Sequence, residues 1–345
     1  MIEMKDYGID ESIETVEGMI PARITAVHRE LFEIVCSHGA CHAVVKSSIY
    51  YDETNRETFP AIGDFVLIDY NPSGPSRIMK TLERKSCFSR KDPDVGRGEQ
   101  IVAANFDYVF IVMSLNNDFN TKRLERYLAA AWQSGATPIV VLTKIDLLED
   151  YSDYMDELEQ VAIGVDIIPI SSKTGFGLEA LERFMQPSKT VVFLGSSGVG
   201  KSSLVNALAG EGLMKTNNIR EDDAKGHHTT THRQLIKLNN GAMIIDTPGM
   251  RELGMWDVSV GLGEAFQDIK ELILGCKFSD CTHGNEPGCR VREALEEGTL
   301  EEERWKSYLK LKREAKYSEA KMAYKEAVRN KGKAYSKVAK KFKEK

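Results

Sequence analysis

Gly195, Ser196, Ser197, Gly198, Val199, Gly200, Lys201, Ser202 and Ser203 run consecutively as GSSGVGKSS, which fits the pattern GxxxxGK[ST] without a mismatch. Such a loop holds phosphate because its glycines let successive backbone N–H groups turn inward. The lysine then reaches the β/γ oxygens, and the serine hydroxyl ligates magnesium. The apolar run VVFL precedes the loop and the helix-forming SLVNALAG follows it, which is the strand–loop–helix setting this chemistry needs. A nucleoside triphosphate site is expected here, with Lys201 on the phosphates and Ser202 on Mg²⁺.

Thr143, Lys144, Ile145 and Asp146 follow the apolar run PIVVL. A carboxylate at Asp146 can accept from both N1–H and the exocyclic amine of guanine. Adenine offers neither in that geometry and would leave the charge unpaired. Ser171, Ser172 and Lys173 follow VDIIPI and are placed to offer a backbone N–H near guanine O6. Asp246 ends the run AMIID and heads Asp246-Thr247-Pro248-Gly249. Its carboxylate is placed to hold Mg²⁺ through water, and Gly249 to bind the γ-phosphate through its N–H. Upstream, the run GHHTTT at 226–231 contains Thr230, a candidate second magnesium ligand of the kind that orders a loop only while the γ-phosphate is present. Each short motif is weak alone. Five of them at consistent strand ends point to GTP.

Cys276, Cys281, His283 and Cys289 offer three thiolates and an imidazole within 14 residues. Cys₃His is a closed tetrahedral zinc set, so the metal is expected to be structural and to organise a subdomain with little apolar material of its own. Cys36, Cys41 and Cys87 lack such neighbours in sequence and read as packing residues. Cysteine usage of this kind fits free thiols and metal ligands rather than a disulfide framework.

The elements that must position these groups are visible in the hydrophobic patterning. Between 20 and 85, about five short alternating runs separated by Gly/Asn/Pro/Ser clusters predict a small β-barrel. From 88 to 262 the pattern becomes strand–helix alternation. YVFIVMSL at 108–115 and PIVVL at 138–142 are continuous apolar runs suited to buried parallel strands, and 120–134 reads as an amphipathic helix. The expected fold class is an α/β P-loop GTPase domain, flanked by an N-terminal OB-like β-barrel (1–87) and a C-terminal zinc-binding α-helical domain (263–345). The guanine-reading motifs precede the phosphate loop, the reverse of the usual order. The domain is therefore read as circularly permuted, which a compact fold tolerates when it is reopened at a surface loop.

Net charge is −6, yet the segment from Arg304 to Lys345 holds 16 Lys/Arg against four acids. An acidic body with a basic tail points to a polyanionic partner reached by the tail. Trp305, Tyr308, Tyr317, Tyr324 and Tyr335 interleave with the lysines, and Arg84, Lys85, Arg90 and Lys91 form a second basic group. No run of about 18 apolar residues occurs and the first residues do not read as a signal peptide, so a cytoplasmic location away from membranes is expected.

The order TKID, SSK, GSSGVGKSS, GHHTTT, DTPG, followed by the Cys/His cluster, resembles the bacterial circularly permuted GTPases that depend on the small ribosomal subunit and act in its late maturation. That resemblance implies rRNA and the small subunit as partners, and the subunit as activator of hydrolysis. Met250, after DTPG, has a thioether that cannot orient a water for attack. The resemblance points instead to His228 as the catalytic group. Two other readings stand beside this one: an RNA-binding scaffold using GTP as a slow latch, and a permuted GTPase acting on another RNA assembly. A monomer is the default.

Overall fold

The computed structural model describes residues 4–10, 13, 15–28, 31–46, 59–91, 99–115, 119–210, 234–246, 259–317 and 320. Five strands, β1 (Ile20–His28), β2 (Leu31–Cys36), β3 (Gly39–Val45), β4 (Phe65–Asp69) and β5 (Ser76–Thr81), form the expected barrel. β3 pairs with β5 in parallel, and β4 returns to pair with both β5 and β1, which closes the sheet. Ile24, Phe32, Ile34, Val66, Ile68 and Ile78 fill its interior.

A hairpin absent from the sequence reading comes next. β6 (Cys87–Lys91) pairs with β7 (Glu99–Ala104) as a separate two-stranded sheet. Then β8 (Tyr108–Ser114), β9 (Thr137–Thr143), β10 (Asp166–Pro169), β11 (Thr190–Leu194), β12 (Gln234–Lys237) and β13 (Met243–Asp246) line up in the order β10-β9-β8-β11-β13-β12. All pair in parallel except β12, which runs antiparallel to β13 and joins β1 of the barrel at Ala26↔Gln234.

Alternation along β8 shows why the sheet is covered on both sides. Val109, Ile111 and Met113 pack on α1 (Thr121–Gln133), α2 (Ser152–Val161) and the C-terminal helices. Phe110 and Val112 face the opposite core with Leu204 and Val205 of α3 (Lys201–Ala209). Both faces are buried, so the strand reads as a continuous apolar run. The side chain of Asn120 caps α1 by accepting from the Arg123 N–H.

α4 (Ser259–Ala265), α5 (Gln267–Leu274), α6 (Arg290–Glu296) and a helix over 302–317 (α7) complete the chain. They share the core of the α1 face: Phe266, Ile269, Val291, Leu300 and Leu311 belong to one cluster with Leu124 and Leu128. A buried polar group spans the same seam. Arg304 forks onto Asp268 at 2.7 and 2.8 Å, approaches Glu125 at 3.3 Å and lies over the Phe266 ring. Ser307 donates to Glu125. Arg304 thus contributes to an internal ion cluster rather than to a free basic surface.

At the other seam, Arg23 is fully buried. It donates to the carbonyls of Tyr7 (2.8 Å), Gly63 (3.3 Å) and Asn105 (2.8 Å) and to Thr190 Oγ1 (3.0 Å). One guanidinium therefore ties the barrel to β11. Burial pulls its pKa down to about 10 against the raising influence of Asp107 and Asp64.

Candidate functional site: a guanine-nucleotide cleft and a Cys₃His cluster

β9 and β11 are parallel strands of one sheet, so the loops at their C-terminal ends emerge on the same side. β11 delivers Gly195–Gly200, and α3 starts at Lys201 with its first-turn N–H groups and the positive end of its dipole toward that loop. Gly195 has φ +147, and a Cβ there would sit 2.4 Å from the Val112 carbonyl oxygen. No other residue fits that turn. The Lys201 ammonium bonds the carbonyls of Gly195 (2.7 Å) and Ser196, which holds it over the loop.

β9 delivers Thr143–Asp146. The Thr143 hydroxyl lies 2.5 Å from the Val199 carbonyl and 3.1 Å from that of Met113. Lys144, in left-handed conformation at φ +63, sends its ammonium 2.8 Å from the Gly198 carbonyl, so its stem runs along the phosphate loop. β10 brings in Ser171, which is buried and donates to Asp146 Oδ1 at 2.7 Å. This aims an otherwise exposed carboxylate. The sequence reading gave Ser171 only a backbone role and missed this side-chain bond. Thr143, Lys144, Asp146, Ser172, Lys173, Gly200 and Ser203 line one cleft, together with Leu147, an exposed apolar residue that the motifs did not single out.

Asp246 ends β13, and Lys201 is its electrostatic neighbour. Burial lifts its carboxyl above the ordinary range while the Lys201 ammonium pulls the other way. A carboxylate in this position is suited to a cation. His228, Thr230, Thr247, Gly249 and Met250 lie outside the described residues.

Cys276, Cys281, His283 and Cys289 are brought together with their ligand atoms all within 4.8 Å of one another. His283 Nδ1 is 3.6 Å from both Cys276 Sγ and Cys289 Sγ. A tetrahedral ion with bonds of about 2.0 Å to nitrogen and about 2.3 Å to sulfur has edges of roughly 3.5–3.8 Å, so the donor set fits a single metal ion. Trp305 packs edge-on against His283, and Tyr308 stacks beside Trp305 and packs on Phe266. These two aromatics of the basic tail are packing residues.

The sequence reading treated Cys36 and Cys41 as packing residues. Both pack in the barrel interior, as packing residues do, and their sulfurs are in addition 3.9 Å apart across the β2–β3 turn.

A parallel sheet whose strand ends carry a P-loop, an aspartate-bearing loop after β9 and an acidic strand end has the layout of a P-loop GTPase, here with β8, β9 and β10 ahead of the phosphate loop in the chain. The profile of the RsgA GTPase family matches residues 81–256, and the chain belongs to that family. It is 51% identical over 295 residues to "Small ribosomal subunit biogenesis GTPase RsgA 2" of Listeria monocytogenes serotype 4b (strain F2365), covering 86% of this chain and 83% of that protein. It is 43% identical over 321 residues to "Small ribosomal subunit biogenesis GTPase RsgA 2" of Lactiplantibacillus plantarum, covering 92% and 90%. Among solved structures, YjeQ from Thermotoga maritima superimposes with a TM-score of 0.66 at 28% identity over 86% of this chain and 98% of that one. YloQ, described as a circularly permuted GTPase, shares the fold with a TM-score of 0.60 at 24% identity over 88% and 98%.

Proposed function

We propose that this GTPase hydrolyses GTP to GDP and phosphate on the small ribosomal subunit, in the late maturation of that particle, and that the subunit stimulates turnover. The observation that carries the reading is the set of three bonds that lash the nucleotide loops together: Thr143 to Val199, Lys144 to Gly198 and Ser171 to Asp146. They support a role for Asp146 in reading guanine, with Lys144, Ile145, Leu147 and Ser171–Lys173 around the base. Backbone N–H groups from Gly195 to Ser203 take the phosphates with Lys201, and Gly249 takes the γ-phosphate.

Magnesium would be held by Ser202, Thr230 and, through water, Asp246, and would neutralise charge on the transferring phosphoryl group. His228 is assigned to the attacking water. Zinc is the ion assigned to Cys276, Cys281, His283 and Cys289, with a structural role, since four protein donors leave no position for substrate.

The chain divides into a barrel (1–87), a GTPase domain (88–262) and a zinc-bearing helical domain (263–345), and acts as a monomer in the cytoplasm. Among the described residues no helix is long and apolar enough to cross a membrane. The barrel and the lysine-rich tail are the parts assigned to rRNA. Measuring GTP turnover with and without purified small subunits tests the proposal. Slow intrinsic hydrolysis accelerated by the subunit is expected, with the acceleration lost in His228→Ala. An unchanged rate on adding subunits favours a scaffold that uses GTP as a latch, and stimulation by a different RNA assembly reassigns the partner.

A further inference from the structure

Register pairs Cys36 with Gly39 and Ile34 with Cys41, so the two cysteines occupy diagonal positions on one face of the β2–β3 hairpin. Their sulfurs are 3.9 Å apart, in van der Waals contact. Both belong to the barrel's interior cluster, but unequally: Cys36 is fully buried and Cys41 half-buried. The other cysteines are set apart, three in the Cys₃His cluster and Cys87 on β6 of the second sheet.

We propose that Cys36 and Cys41 form a redox modification site, closing a reversible intramolecular disulfide when the chain meets a low-molecular-weight disulfide. The unequal burial sets the order of events. The Cys41 thiolate, the accessible one, attacks one sulfur of the oxidant. The oxidant's S–S bond breaks, a new S–S bond forms to Cys41, and the first small thiolate leaves. Cys36 then attacks the Cys41 sulfur of this mixed disulfide and expels the second small thiolate. Two protein thiols are oxidised and one small disulfide is reduced to two thiols, which carry the two protons released. The sulfurs must close from contact to about 2.05 Å, by side-chain rotation and a small approach of the strands at a two-residue turn.

Burial, with Cys36 alongside, pushes the Cys41 thiol up to about 11. Only a small thiolate fraction is therefore present near neutral pH, and attack accelerates about tenfold per pH unit while the pH stays below that value. The bond would staple the base of the turn carrying His38, whose ring stacks on Tyr70 of the β4–β5 loop with centroids 4.1 Å apart. In OB barrels the β4–β5 loop contributes to oligonucleotide binding.

The test incubates the full, zinc-loaded protein with glutathione disulfide at mildly alkaline pH and maps thiols by differential alkylation and peptide mass. The expected product links Cys36 to Cys41 with loss of two hydrogens, and a small thiol reverses it. Cys36→Ser is expected to trap the mixed disulfide on Cys41, because the resolving thiol is gone. In Cys41→Ser, Cys36 is expected to stay unreacted. GTP binding and thermal unfolding check that each variant folds, and Cys36→Ala replaces Cys36→Ser if the latter does not. Free thiols at both positions after prolonged exposure, or no adduct on Cys41 in the Cys36 variant, overturns the proposal. Neither result bears on the GTPase assignment.

Discussion

The hydroxyl of Thr143 lies 2.5 Å from the carbonyl oxygen of Val199, joining two loops 56 residues apart in the chain. Thr143 is 2% exposed, so this bond is shielded from water and links the Thr143–Asp146 loop to the P-loop. Thr143→Val keeps the shape and removes the donor. The hydroxyl has one proton to donate, and leaving the nearer acceptor, the Val199 carbonyl, without it costs about 1–3 kcal/mol. Nucleotide affinity is expected to fall about tenfold with little change in the specificity for guanine, as measured by fluorescent GDP titration. Unaltered affinity would remove this bond from the account.

Arg23 makes the comparable tie between the barrel and the sheet. Arg23→Met retains much of the stem but leaves the carbonyls of Tyr7 and Asn105 and the Thr190 hydroxyl without the Arg23 donor, while the Gly63 carbonyl keeps the Asn105 amide. Leaving buried acceptors without a donor costs about 1–3 kcal/mol each. Denaturant unfolding is expected to show a loss of that size, with the barrel and the GTPase domain unfolding in separate steps. A single transition at the wild-type midpoint contradicts the tie.

Glu125 gives a pH dependence of definite sign. Burial holds its carboxyl above the usual range, against the lowering pull of Ser307 and Arg304. The folded chain then binds more protons than the unfolded one at pH values above about 4.5, the ordinary glutamate value, up to the raised folded value. The contribution of Glu125 to stability is accordingly greatest below that window and declines as pH rises through it. Glu125→Gln removes this slope, so the variant is expected to gain on the wild type as pH rises from 4.5. Parallel stability curves for the two proteins across that range would count against the burial argument.

The metal cluster and the GTPase core are expected to fail together. Cys289 is 2% exposed and belongs to the same cluster as Leu124 and Leu128. Cys289→Ser, or chelation, is expected to release one zinc per chain, alter the fluorescence of Trp305 beside His283 and lower GTP affinity. Elemental analysis together with calorimetry reads these out. Full GTP affinity in metal-free protein would show that the C-terminal helices are independent of the nucleotide core.

How much of this was legible in the sequence depended on whether a residue's role is local. The parallel strands were visible because burial on both faces makes them continuous apolar runs, as in YVFIVMSL. The Cys₃His cluster was visible because all four residues fall in one short segment. The β6–β7 hairpin was not. CFSRK and EQIVAA are short and partly charged, and packing of Phe88 on Phe106 at 4.8 Å supplies the burial that local pattern does not reveal. The burial of Glu125 was not visible either, because it comes from Arg304 and Ser307 of α7, which cover it from a distant part of the chain. The Cys36–Cys41 contact required knowledge of the turn register, and the Ser171–Asp146 bond required knowing that β9 and β10 are neighbours.

Competition binding of GTP, ATP and XTP to wild type and Asp146→Asn bears most directly on the site. The substitution puts an amide N–H where guanine also offers a donor, whereas xanthine offers a carbonyl there. Wild type is expected to prefer GTP strongly over ATP and XTP, and the variant to lose GTP by a hundredfold or more, about 3 kcal/mol, while gaining XTP. Equal binding of GTP and ATP by the wild type, or unchanged GTP affinity in the variant, would contradict the convergence of these loops on guanine.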